Sequence, residues 1–184
     1  MKKIAVLLAN GYEEGEALFV VDILRRAGFV CDIVSITEQL QVTGSHNITA
    51  FADKVLDDSI KEYNMLVLPG GMPGSTNLRD DSKVIEMVQY FNQTKKYIAA
   101  ICAAPIVLQQ AGIVKGKKIT SYPSQKEVFV DSEYVEDTVV IDEHIITSRG
   151  PATVLPFAYT LVDILGGNSE VLKQGMLYTM LNSK

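Results

Sequence analysis

The sequence predicts an α/β domain: a three-layer sandwich whose mostly parallel sheet carries helices on both faces. Two observations predict it. Short β-branched runs alternate with segments of helical period along the chain, and helices of that length between strands imply βαβ crossovers. With 184 residues, 47% hydrophobic and 21% charged, the chain is large enough to bury one sizeable core.

The first strand is the apolar run at residues 4–9. The two lysines ahead of it resemble the start of a secretory leader, but the run is too short and passes into Glu13, Glu14 and Glu16 without a small-residue cleavage site. "EALFVVDILRRAG" follows, with Leu18, Val21 and Leu24 at helical spacing and Gly28 as its stop. "VCDIVSI" is a second strand, and the polar "VTGSHN" turns a small hairpin. "MLVLPGG" is a third strand running into a Gly and Pro loop, after which Ser82 caps a helix over 83–93. "YIAAI" is the fourth strand. The pattern then changes: "DTVVIDEHIITSRG" predicts a hairpin turning at Asp142 and Glu143. "PATVLPFAYTLVDILGG" predicts a helix with Pro151 in its first turn, a kink at Pro156 and Gly166 as its stop. A terminal helix over 169–181 closes a single domain spanning 1–184.

The net charge of -5 offers no field for a phosphate backbone, which argues against nucleic acid as a partner. No apolar run approaches the roughly 18 to 20 residues of a membrane span. Two cysteines make no disulfide framework, so the expected compartment is the reducing cytoplasm. No pair of histidines or cysteines has metal-ligand spacing, and "GGMPGS" lacks the Gly-Lys-Ser/Thr ending of a phosphate loop. Neither a metal nor a cofactor is expected.

Ligands of open parallel sheets bind outside the carboxyl ends of the strands. Four such ends carry suggestive residues: "NGYEEGE", "PGGMPGS", "CAAP" and "SRGP". Cys102 stands where a strand gives way to a helix with Pro105 in its first turn, a place where unpaired N–H groups favour a thiolate. Lowering a thiol pKa from about 8.5 to about 5.5 takes roughly 4 kcal/mol, and a helix end supplies about 2 at most. Other donors are therefore needed. The backbone N–H groups of Gly70 and Gly71 are candidates, and a protonated Glu16 is another, since a desolvated carboxyl keeps its proton and serves as general acid or base. Cys31 lies in a strand pattern and reads as core packing.

Together "LANGYEEGEA", "LPGGMPGSTNL", "AAICAAP" and "TSRGP" resemble the ThiJ/PfpI family, nearest the branch of the parkinsonism-associated deglycase and its bacterial relatives, over nearly the whole chain. The resemblance implies a flavodoxin-like fold of the class I glutamine-amidotransferase-like type, and a homodimer. It makes Cys102 the nucleophile and redox-sensitive thiol at a nucleophile elbow, Glu16 its carboxyl partner, and the backbone at Gly71 and Ala103 the oxyanion-type donors. Relatives in this branch are described as glyoxalases or deglycases, as oxidative-stress sensors and as chaperones. One departure matters: the family's histidine is replaced by Tyr122, and a phenol is a weaker base than imidazole at neutrality. Ala103 stands where a PfpI-type protease has histidine, and the late His and Glu of the glutamine amidotransferases are missing. Further pocket candidates are Gly70, His46 in the polar turn and Arg149 in "SRGP"; His144 reads as structural.

The expected function is conversion of a small α-oxoaldehyde such as methylglyoxal to a hydroxy acid, with no cofactor. Its rival is a redox-responsive protein or chaperone governed by oxidation of Cys102 without significant turnover.

Overall fold

The computed structural model describes residues 1–182. In chain order the elements are β1 (Lys3–Leu8), α1 (Glu14–Arg26), β2 (Val30–Ser35), β3 (Gln41–Thr43), β4 (Thr49–Phe51), β5 (Lys54–Val55), β6 (Met65–Leu68), α2 (Gly74–Asp80), α3 (Ser82–Gln93) and β7 (Tyr97–Ile101). They continue with α4 (Pro105–Gln110), β8 (Lys118–Ile119), β9 (Glu133–Tyr134), β10 (Val139–Asp142), β11 (Ile145–Ser148), α5 (Val154–Ile164) and α6 (Ser169–Gly175).

Seven strands form one sheet in the order β10-β11-β7-β6-β1-β2-β5. All pairs are parallel except the β10–β11 hairpin. Taken in chain order, β1, β2, β6, β7 and β11 show the flavodoxin-like order 2-1-3-4-5. The order reverses between β1 and β6, so the crevice expected at such a switch point opens beyond Leu8 and Leu68. Side-chain alternation splits the core into two layers. Ile4, Val6 and Leu8 face a cluster with Val20, Ile23 and Leu24 of α1 and Phe157 of α5. Ala5 and Leu7 face Val84 and Phe91 of α3 and Leu108 of α4. Burying a side chain such as Phe91 or Phe157 contributes about 1.5–3 kcal/mol.

Several expectations need correction. The loop after β6 is followed at once by α2, which the glycine and proline of "GGMPGS" concealed. Asp81, not Ser82, caps α3: its carboxylate accepts the N–H of Val84 at 3.0 Å. Pro156 does not interrupt α5, because it lies in the first turn, where its missing N–H has no helical partner to lose. The terminal helix ends at Gly175, and Leu177, with φ +61°, separates α6 from a 3₁₀ turn at Tyr178–Asn182. The late hairpin does turn near Asp142 and Glu143: Asp142 pairs with Ile145 and leaves Glu143 and His144 as the loop. Among the described residues no helix is long and apolar enough to cross a membrane.

Candidate active site

Cys102 follows the last residue of β7 and adopts φ +64°, a left-handed conformation that costs a non-glycine residue energy. Two neighbouring segments hold it there. Its N–H donates to Ser148 O at 3.0 Å, and its carbonyl accepts the N–H of Tyr122 at 2.7 Å. The side chain is thereby turned out of the strand toward the β1–β6 crevice, where the residue remains only 9% exposed. The backbone N–H groups of Ala103 and Gly71 lie beside the sulfur and favour its thiolate form.

Gly71 has φ +90°, and Glu13 N donates to Gly70 O at 2.8 Å, binding the β6 loop to the entrance of α1. This contact brings Glu16 under the sulfur. Glu16 is fully buried, and its Oε2 accepts the N–H of Gly70 at 2.8 Å. A point one Cβ bond off Gly70 lies 2.5 Å from that oxygen and 3.1 Å from Cys102 Sγ, so the missing side chain is what lets thiol and carboxyl meet. The second oxygen, Oε1, is buried with no hydrogen-bond partner.

Burial raises the Glu16 carboxyl to about 7, against the opposing pull of the Cys102 side chain and the Gly70 N–H. Burial, followed by the charge of an ionised Glu16, pushes the Cys102 thiol up to about 12, although the N–H groups of Ala103 and Gly71 favour the thiolate. This reverses the sequence-based expectation of a low thiol pKa. That expectation weighed the attraction of N–H groups and a protonated Glu16, and left out the cost of burying the thiolate itself. The pair holds one negative charge readily and two only at high pH. A carboxyl that titrates near neutrality can take up or release a proton there, the property general acid–base chemistry needs.

The cleft above the sulfur encloses about 300 Å³ and is lined by Glu13, Gly71, Met72, Cys102, Ala103, Tyr122, Ser124, Gln125 and Pro151. Gly70 lies beneath it as the Glu16 partner. Tyr122 is on the wall, its ring 3.4 Å from where a side chain on Gly150 would begin.

Glu16 and Gly70 sit below this lining, and two further sequence candidates are turned to other partners. Arg149 reaches back to Thr120 Oγ1 at 3.3 Å and toward Glu136 at 4.0 Å. His46 sits on the β3–β4 turn, where its Nδ1 meets Glu14 Oε2 at 2.9 Å. Glu14 also accepts the backbone N–H of His46 at 2.8 Å and of Ile48 at 3.3 Å. Despite its burial, these bonds, led by the one to the His46 side chain, hold the Glu14 carboxyl down at about 2. The same contact raises the His46 pKa. Glu13, Glu14 and His46 offer ligand atoms within 4.8 Å of one another, a grouping that spacing along the chain could not reveal. Glu14's oxygens are committed to fastening the hairpin, so the trio serves as a clasp. His144 is buried against Asn92 at 2.9 Å, and Cys31, also buried, is pushed up to about 12; both are structural.

Residues 2–164 match the DJ-1/PfpI family. Protein dj-1beta of Drosophila melanogaster is 38% identical over 92% of this chain and 92% of its own. The Parkinson disease protein 7 homolog of Danio rerio is 36% identical over 94% of each. Protein DJ-1 homolog B of Arabidopsis thaliana is 35% identical over 93% of this chain but 40% of its own, so the chain spans less than half of that relative. Among solved structures, Drosophila melanogaster DJ-1beta superposes with a TM-score of 0.91 at 37% identity, covering 96% of this chain and 97% of that one. Toxoplasma gondii DJ-1, solved in an oxidized state, gives 0.91 at 32% identity, covering 96% and 98%.

Proposed function

The chain belongs to the DJ-1/PfpI family, and from that membership we propose that it is a cysteine-dependent glyoxalase or deglycase, converting methylglyoxal and related α-oxoaldehydes to hydroxy acids without a cofactor. One observation carries the reading: a buried carboxyl raised to about 7, with an unpartnered oxygen, lies beside a sulfur at the floor of a cleft.

The chemistry balances within these groups. Cys102 sulfur bonds to the aldehyde carbon of methylglyoxal while its proton passes to Glu16, and the oxygen, held by the N–H groups of Gly71 and Ala103, becomes a hydroxyl. Glu16 returns a proton there. It then removes the hydrogen from that carbon as a proton, leaving an enediolate, and delivers a proton to the neighbouring carbon, while the hydroxyl proton on the sulfur-bearing carbon passes to the former ketone oxygen, turning the hemithioacetal into the thioester of lactate. Water cleaves the thioester, releasing lactate and the free thiol. The step is a redox-neutral rearrangement. Tyr122 lies on the wall of the cleft and, as a phenol, is suited to donating a hydrogen bond to substrate rather than to relaying protons, so Glu16 carries the proton traffic.

Proton NMR of reduced protein with methylglyoxal, in buffer free of amines and added thiols, is expected to show catalytic lactate. Absence of turnover by folded protein would reject the reading. The same donor set also suits a second role, redox sensing or redox-controlled chaperone action. Gly71, Ala103 and a protonated Glu16 would hold the oxygens of an oxidised sulfur, and the Toxoplasma relative is described as oxidized. A peroxide titration followed by intact mass decides it: a Cys102 that stays unmodified until the protein unfolds excludes sensing.

A homodimer in the cytoplasm is part of the proposal. Two free cysteines suit a reducing compartment. Phe19 is 47% exposed beside Leu18 on α1, over a hollow of about 320 Å³ shared with Glu14, Gly15 and Asp22. Light scattering should give twice the 20.2 kDa chain mass, falling toward the single mass in Phe19→Glu. A monomeric wild type would exclude it.

A further inference from the structure

The cleft over Cys102 has a charge pattern that selects among electrophiles. Of the nine residues lining it, Glu13 alone carries a charge. The cations on this side point elsewhere: Lys126 reaches Glu136 at 3.5 Å, and Arg149 turns toward the same carboxylate and Thr120. Around Glu13, the charged neighbours are Glu14, His46 and the deeper Glu16. His46 is given first to Glu14, at 2.9 Å, and stands 3.7 Å from Glu13. With one cation between two carboxylates, the mouth keeps a net negative charge even when His46 is protonated. Ser45 adds only a neutral hydroxyl, 3.3 Å from Glu13.

We propose that Glu13 is a specificity-determining residue that repels anionic electrophiles, so that Cys102 reacts with neutral or cationic carbonyl compounds and rejects those bearing a carboxylate or phosphate beside the aldehyde. This narrows the substrate class of the proposed function and rests on it for turnover. The selection itself depends only on approach of a charged group to the sulfur. Anions next to Glu13 meet like-charge repulsion in a partly desolvated cleft, with no lining cation to offset it.

Two alkylating agents of the same size, iodoacetamide and iodoacetate, differ by one negative charge. In each the sulfur bonds to the methylene carbon, iodide leaves and the thiol proton is released. Rates for Cys102 are read at pH 6 by intact mass with peptide mapping, which separates Cys102 from Cys31. At that pH Glu16 mostly holds its proton, leaving Glu13 as the charge lining the approach. The amide-to-carboxylate rate ratio is expected to exceed that of glutathione, to fall about threefold in Glu13→Gln, and to fall with added salt. Glu86→Gln, which removes the same charge from exposed α3, should leave it unchanged. A wild-type ratio equal to that of glutathione overturns the proposal. So does an unchanged ratio in Glu13→Gln, or an equal shift in Glu86→Gln, which would trace the effect to net charge. A parallel assay compares methylglyoxal with 4,5-dioxopentanoate, an α-oxoaldehyde that can undergo the same rearrangement but carries a carboxylate. Turnover of neither rejects the glyoxalase reading and leaves the alkylation result to judge the filter. Preferential turnover of 4,5-dioxopentanoate overturns the filter alone.

Discussion

Cys102→Ser is expected to lower lactate formation from methylglyoxal by at least about 10³-fold, and Glu16→Gln by about 10²–10⁴-fold. A hydroxyl in place of the thiol is a far weaker nucleophile, and an amide cannot accept the thiol proton. The wild-type rate should rise with pH through about 7, as Glu16 gains the charge that makes it a base, and this limb should vanish in Glu16→Gln. Stability moves the other way. The folded-state pKa of Glu16 lies above its ordinary 4.5, so between these values the native state binds more protons than the unfolded chain. The stabilising contribution is complete below about 4.5 and is lost as pH rises through about 7, a loss of order 3 kcal/mol for this fully buried carboxyl. Glu16→Gln, which cannot ionise, should therefore melt higher than wild type at pH 8 while being nearly inactive. A Glu16→Gln enzyme with full activity would remove Glu16 from the mechanism; one that melts lower at pH 8 would refute the ionisation penalty.

Gly70→Ala should be nearly as damaging without removing any reactive group. The new Cβ would fall 2.5 Å from Glu16 Oε2 and 2.6 Å from Cys102 Cβ, contacts that force both side chains apart. Displacement of about 1 Å between reacting groups costs about 100-fold, and overpacking so tight a site costs about 1–3 kcal/mol in stability. The expected signature is a folded protein with a lower melting temperature and about 100-fold less turnover. Wild-type kinetics in Gly70→Ala would show that close approach of carboxyl and sulfur is unnecessary.

Much of the architecture was legible in the sequence because its signals are local. The parallel strands are continuous apolar runs, and the stops at Gly28 and Gly166 mark helix ends where the chain turns left-handed. Cys102 and Glu16 emerged from residues gathered at strand ends, where the topology of a doubly wound sheet brings separate loops together. What escaped depended on tertiary contact. Helix α2 begins in a Gly and Pro stretch whose composition argues for loop. Glu13 and Glu14 are adjacent in sequence and look alike, yet one lines the cleft and the other fastens the β3–β4 turn through His46. The direction of the Cys102 pKa was misjudged because dryness is a property of the assembled interior and leaves no mark on any short stretch.

The floor of the cleft is built largely from main chain: the N–H groups of Gly71 and Ala103, the Glu13-to-Gly70 bond and the bonds that clamp Cys102 to Ser148 and Tyr122. Its wall is built from side chains, and Tyr122, Ser124 and Gln125 come from one short stretch at and beside the 3₁₀ turn Pro123–Val128. Mutation acts unevenly on such a design. Most substitutions along this stretch can alter what enters without disturbing the peptide groups that grip the sulfur. Reactivity and selectivity are thus inherited through different parts of the chain, and a new substrate range could evolve by drift in a few neighbouring codons while the reactive cysteine stays in place.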